Sequence, residues 1–191
     1  MISRSTIFAA AVSVAAVAFA SSAGATALSG SMTADYLYPD SGTVYVTTTL
    51  TVGTPISCPS ADPICSPFAA AATISASGLS ISVLEDAGSS YTATSFNGME
   101  FSGITFDDGS VIAGFTLDTD LPGLTSANIA FTSDSISYNA QGLDFSNAGY
   151  HITLNLLTRQ VSDVPEPLTL SLFGAGLAGA AAIRRAKKKA A

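Results

Sequence analysis

Alternation with a period of two dominates the middle of the chain. From Thr43 to Val52, Val44, Val46, Leu50 and Val52 share one face, and Thr43, Tyr45, Thr47, Thr49 and Thr51 share the other. Dense β-branching with this period predicts a half-buried strand. Met32, Ala34, Tyr36 and Tyr38 alternate before it, and Pro39-Asp40-Ser41-Gly42 supplies turn chemistry between the two. Leu79, Ile81 and Val83 predict another strand, ended by Glu85-Asp86-Ala87-Gly88. Ser90–Phe96 comes after it, closed by Asn97-Gly98 as a hairpin turn. Met99–Phe106 is next, with a slip at Gly103 that predicts a bulge. Asp107-Asp108-Gly109-Ser110 then turns the chain into Val111–Asp118, where Val111, Ala113, Phe115 and Leu117 are expected to face inward. Asn128–Thr132, Ser135–Tyr138 and Tyr150–Leu157 complete the set, and Ala69–Ala72 is expected to form a helical turn. Short strands with turns between them predict an all-β domain, an antiparallel β-sandwich or jelly roll.

The two ends have a different pattern. Met1–Ala27 reads as a secretory signal peptide: Arg4 and the amino terminus are positive, and Ile7–Ala20 is an apolar core. Ala25-Thr26-Ala27 fits the small-x-small rule for signal peptidase and makes Leu28 the expected mature start; Ala23-Gly24-Ala25 is a second candidate, giving Thr26. The competing reading is an uncleaved N-terminal helix. At the other end, Val164-Pro165-Glu166-Pro167 precedes an uncharged run from Leu168 to Ile183, then Arg184, Arg185, Lys187, Lys188 and Lys189. Roughly sixteen residues make a helix about 24 Å long, a little short of the ~30 Å hydrocarbon core. Snorkelling basic side chains extend its reach and hold the C-terminus in the cytoplasm. Pro165 and Pro167 mark the outer boundary of that single transmembrane helix. Taken alone, the segment reads as a plain single-pass anchor in the inner membrane.

Val164, Pro165, Glu166 and Pro167, then Leu168–Ile183, then Arg184 and Arg185, resemble the PEP-CTERM sorting signal. The resemblance covers only the last part of the chain. It implies a Gram-negative, exopolysaccharide-producing source and an exosortase-like membrane protease as partner, which releases the body for surface display or export. It implies nothing about the body, because proteins with this tail vary elsewhere. The expected organisation is therefore a signal peptide over 1–27, a secreted β-rich domain over 28–163 and a sorting signal over 164–191.

Charge is divided unevenly. Of the seven basic residues only Arg159 lies between Leu28 and Asp163, against thirteen of the fourteen acidic ones, a formal net of −12 for that stretch. Such a body repels nucleic acid and anionic membrane surfaces; it suits Ca²⁺, cationic partners or high solubility. Its length of about 136 residues is ordinary for one domain.

Cys58 and Cys65 close a loop containing Pro59 and Pro63. In an oxidising compartment a disulfide is the expected state, and two thiols without nearby His make a poor zinc site. Candidate catalysis is thin. His151 is the lone histidine, expected on the polar face with Thr153 and Asn155, and no Gly-x-Ser-x-Gly elbow occurs. Glu85/Asp86, or Glu100 with Asp107, offer carboxylates of the glycosidase kind, but acidic turn residues explain them more cheaply. Asp118 and Asp120 offer two hard oxygen ligands where Ca²⁺ needs six or more, and a strand separates them from Asp107 and Asp108. No catalytic residue, metal or cofactor is expected. The leading expectation is a non-enzymatic structural or adhesive protein of the cell surface or an exopolysaccharide matrix. The alternative is a carbohydrate-binding module using Tyr36, Tyr38 and Tyr45 as platforms, weakened by the absence of Trp.

Overall fold

The hairpin predicted around Pro39–Gly42 forms as β2 (Ser31–Leu37) and β3 (Val44–Thr51). Asp40 builds its turn: Oδ1 accepts from Gly42 N–H at 2.9 Å and from the Thr43 hydroxyl at 3.0 Å. The computed structural model describes residues 26–68, 71–86, 90–145 and 149–161. The expected signal peptide up to Ala25 and the sorting segment Val164–Ala191 lie outside the described residues. Among the described residues, no helix is long and apolar enough to cross a membrane.

The remaining strands are β1 (Leu28–Ser29), β4 (Ile56–Cys58), β5 (Ala72–Ser77), β6 (Ser80–Glu85), β7 (Gly98–Ser102), β8 (Thr105–Phe106), β9 (Val111–Thr119), β10 (Ile129–Phe131), β11 (Ser135–Asn139) and β12 (Tyr150–Arg159). They form two five-stranded sheets, ordered β10-β11-β7-β2-β3 and β4-β5-β6-β12-β9, with β1 pairing β8 separately. Every pairing between these strands is antiparallel. The inward residues of both sheets join one core: Leu50, Met99, Phe101, Ile136 and Tyr138 from the first, Ile74, Ile81, Ile152, Leu154 and Leu156 from the second. Outward positions are hydroxyl-rich, as in the row Ser75, Ser82, Thr153 across the second sheet.

Several expectations are corrected. Ala72–Ser77 is a strand, so no helical turn reaches Ala72; Ala69 and Ala70 lie outside the described residues. Ala72, Ile74 and Ala76 face the core there, but a strand with one large apolar residue gives weak hydrophobic contrast. Ser90–Phe96 is no strand: after a single bridge from Ser90 to Asp144 the segment is irregular. Asn97-Gly98 is no hairpin turn. Gly98 opens β7 beneath β11, where a Cβ would collide with the Tyr138 carbonyl oxygen. Gly103 (φ +69°) marks a break rather than a bulge; before it the chain pairs in the first sheet, and after it β8 pairs β1.

Two bulges reverse predicted faces. Leu157 pairs Gly114 and Thr158 pairs Ile112, so Ala113 is the extra residue. Ile112 is therefore buried and Ala113 exposed, while Phe115 and Leu117 keep the inward face. Likewise Tyr36 pairs Val46 and Leu37 pairs Val44, which leaves Tyr45 extra and both Val44 and Tyr45 exposed. An extra residue shifts the alternation by one and turns the side chains beyond it over.

Candidate functional site

The bulge at Tyr45 sets up the most distinctive surface of the body. Tyr45 stands edge-to-face with Tyr36, ring centroids 6.4 Å apart, and with Tyr38 at 6.3 Å. These rings form one wall of an open cleft of about 330 Å³. Ser66 and Pro67 contribute from the loop after the cysteines, and Ser90, Thr92 and Asn97 from the irregular segment before β7. Tyr45 is 58% exposed whereas Tyr36 is 9% exposed, so the wall runs from open rim to buried floor.

The walls are held. Cys58 and Cys65 form the expected disulfide, with Cα atoms 5.4 Å apart. Asp62 caps the short 3-10 turn Pro63–Cys65 by accepting from Ile64 N–H at 3.1 Å, and its other oxygen accepts from the Thr48 hydroxyl of β3 at 3.0 Å. Ile64 is fully buried, and Phe68 packs edge-on against Tyr36. The opposite segment is tied to the β2–β3 turn: the Phe96 N–H and Ser95 hydroxyl both donate to the Pro39 carbonyl, at 3.1 Å each. The Tyr36 hydroxyl donates to Asn97 Oδ1, and Asn97 Nδ2 donates to the Thr92 carbonyl at 3.3 Å.

Beneath the cleft lies a buried tyrosine cluster. Tyr91 and Tyr150 share a hydrogen bond, and Phe145 packs on both rings. A cavity of about 30 Å³ separates this cluster from Tyr36 and is bordered by Glu85, itself 3% exposed. Burial raises the phenols of Tyr36, Tyr91, Tyr138 and Tyr150 above their ordinary value, so all four stay neutral. Among the described residues the Tyr138 hydroxyl is a buried side-chain group without a hydrogen-bond partner.

The lone histidine sits elsewhere, on the outward side of the second sheet. His151 Nδ1 lies 3.0 Å from Asp120 Oδ2, and Nε2 lies 3.6 Å from Asp118 Oδ1. Both ring nitrogens thus lie near carboxylates. Among the described residues, no group of three or more His, Cys, Asp or Glu is arranged to hold a metal ion. The imagined carboxylate pair Glu100 and Asp107 is divided: Glu100 lies opposite Asp35 in β2, and Asp107 Oδ1 accepts from Ala27 N–H at 2.9 Å.

Asp108 closes the far end of the body. Its Oδ2 accepts from the Thr26 hydroxyl at 2.6 Å and from Gln160 Nε2 at 2.8 Å. The chain therefore enters and leaves the body at one place. Residues 163–186, just past that exit, match the family model of the PEP-CTERM protein-sorting motif. The chain carries a PEP-CTERM motif. Searches of the curated proteins and of the solved structures give no match.

The PEP-CTERM match includes Val164, Pro165, Glu166, Pro167, Arg184 and Arg185, all outside the described residues. The motif implies exosortase-mediated processing at a membrane and a secreted product. It comes after β12, whose ten residues (Tyr150–Arg159) span roughly 30 Å at ~3.3 Å each. Tyr150 at its start belongs to the cluster under the cleft, and Gln160 just past its end touches Asp108. The exit toward the PEP-CTERM motif and the tyrosine cleft thus lie toward opposite ends of the body.

Proposed function

We propose that this chain is an exported, non-enzymatic surface or extracellular-matrix protein with a structural or adhesive role. In this reading signal peptidase removes the leader at one of its two small-residue sites, after Ala25 or after Ala27, the body up to Asp163 folds outside the inner membrane, and the segment over 164–191 holds the precursor there. An exosortase-like protease then processes it at the Pro165-Glu166-Pro167 region, and the body joins an exopolysaccharide-associated envelope. The PEP-CTERM match is the observation that carries the reading. Further support comes from the disulfide, which suits an oxidising compartment, and from the acidic body, which stays clear of anionic membrane and nucleic acid. Strands with outward Ser and Thr suit a hydrated matrix.

The test replaces Pro165, Glu166 and Pro167 together by alanine in the producing cells. The wild-type body is expected in the surface or medium fraction, and the variant in the inner-membrane fraction. Identical distribution of the two would overturn the proposal.

A further inference from the structure

We propose that the cleft walled by Tyr36, Tyr38 and Tyr45 is a binding site for a neutral sugar residue of a glycan. The sorting reading does not require this site, and the site does not depend on that reading. Three observations converge on the ligand class.

The first is shape. About 330 Å³ lies at the small end of ligand pockets, enough for one or two sugar rings. Its open rim lets a longer chain pass across. Exposed Tyr45, with Tyr38 beside it, presents aromatic carbon to the apolar C–H face of a pyranose, and the phenol hydroxyls remain at the edge to meet ring hydroxyls.

The second is chemistry. The polar groups facing the space are hydroxyls and an amide, from Ser66, Ser90, Thr92 and Asn97. None of the cleft's lining side chains carries a charge, although the surrounding body has a formal net of −12. An anionic ligand would meet repulsion with no Lys or Arg to offset it. A cationic ligand would find no carboxylate in the cleft itself. A ligand that is neutral, hydroxyl-rich and apolar on one face matches what remains.

The third is preorganisation. The Asn97 amide is 4% exposed and oriented by Tyr36 and the Thr92 carbonyl. The disulfide and the Asp62–Thr48 bond fix the Ser66–Pro67 wall, and the two bonds to the Pro39 carbonyl fix the segment opposite. A site held in shape before binding loses less conformational entropy on binding. Its position, toward the end of the body away from the exit to the PEP-CTERM motif, leaves it free to reach a glycan while the precursor is still held at a membrane.

The test is native affinity electrophoresis of the exported protein, purified from its producing cells, through gels containing mannan, galactan, dextran or xyloglucan, with alginate as the anionic comparison. At least one neutral polysaccharide is expected to retard the protein and alginate is not. Tyr45→Ala, at an exposed position, should weaken that retardation about tenfold. Thr49→Ala, on the outward side of the same strand, should leave it unchanged. Titration of the ¹⁵N-labelled protein with the methyl glycosides of mannose, galactose and glucose reads the site without a polymer: shifts are expected at the Asn97 and Thr92 amides and absent in Tyr45→Ala. Absence of amide shifts with all three glycosides, or retardation that survives Tyr45→Ala, would overturn the proposal. Neither result bears on where the protein is sorted.

Discussion

Thr26 and Gln160, at the two ends of the folded body, donate to the same carboxylate oxygen of Asp108, at 2.6 and 2.8 Å. Asp107 beside it accepts from Ala27 N–H through its side chain, and its own N–H donates to the Ala27 carbonyl at 3.0 Å. One acidic turn therefore fastens both ends. Its hydrogen bonds, chiefly that from Thr26, hold the Asp108 pKa below its ordinary value. A lowered carboxylate stabilises above its unfolded pKa of about 4 and loses that contribution as pH falls through its folded value. Asp108→Ala is expected to speed amide hydrogen exchange at Leu28 and Arg159 at pH 6 while leaving Phe101 protected. Unchanged exchange at Leu28 and Arg159 would show that Asp108 is not the fastener.

The same contacts discriminate between the two candidate leader sites. Removal after Ala27 deletes Thr26 and Ala27, and with them three hydrogen bonds to Asp107 and Asp108. Removal after Ala25 keeps all three and places a new α-ammonium next to two carboxylates, where an opposite charge is favourable. The mature chain is expected to begin at Thr26. N-terminal peptide mass of the exported protein decides this, and a Leu28 start would contradict it.

His151 couples stability to pH. Partial desolvation is the largest single influence and pulls the imidazole down. The hydrogen bonds and charges of Asp120, then of Asp118, together outweigh it, so the pKa lies above its ordinary 6.5. The His151 backbone N–H, donating to Asp120 Oδ1 at 2.7 Å, is the main reason the Asp120 pKa is lowered. The histidine contribution is complete below about pH 6.5 and is lost as pH rises through the higher folded value. The Asp120 contribution is present above about pH 4 and is lost as pH falls through its lowered one. Both hold between about pH 4 and 6.5. Exposed pairs contribute less than about 1 kcal/mol, so Tm at pH 5.5 should exceed that at pH 8.5 by up to about 3 °C. Asp120→Asn keeps the acceptor for the backbone N–H but removes the charge, and should shrink that difference. An equal difference in the variant would sink the assignment.

Removing the disulfide should cost about 2.5 kcal/mol on the chain-entropy account of an eight-residue loop, lowering Tm by roughly 7–12 °C. Cys58→Ala with Cys65→Ala, compared by thermal unfolding, measures it. A drop under about 2 °C would mean that fully buried Ile64 and the Asp62–Thr48 bond hold the loop unaided.

Much of the fold was legible because β2, β3, β11 and β12 alternate large apolar with polar residues, and their turns carry Asp and Gly at fixed offsets. β5 was hidden because Ala72 and Ala76 are small, although they point inward as Ile74 does. The segment after Ser90 imitates alternation, yet its bonds run to distant groups: Tyr91 N–H donates to the Leu143 carbonyl at 2.8 Å and Asn97 N–H to Asn139 Oδ1 at 3.0 Å. Such pairings leave no local signature. The nearness of Tyr36, Tyr38 and Tyr45 was readable from one hairpin. Asn97, Ser66 and Thr92 reach the cleft by tertiary contacts alone, and the pairing of β9 with β12 brings Asp118 and Asp120 to His151. The PEP-CTERM motif was readable because its signal is local: prolines, an apolar run and basic residues in order.

The central claim is processing of the exported protein at its PEP-CTERM motif. Intact mass of that protein, from producing cells and from cells lacking the exosortase, tests it most directly. The account predicts a chain without Arg184–Ala191 when the protease is present and a chain retaining them when it is absent. A retained tail in both would mean that Leu168–Ile183 is a permanent anchor and would contradict the account.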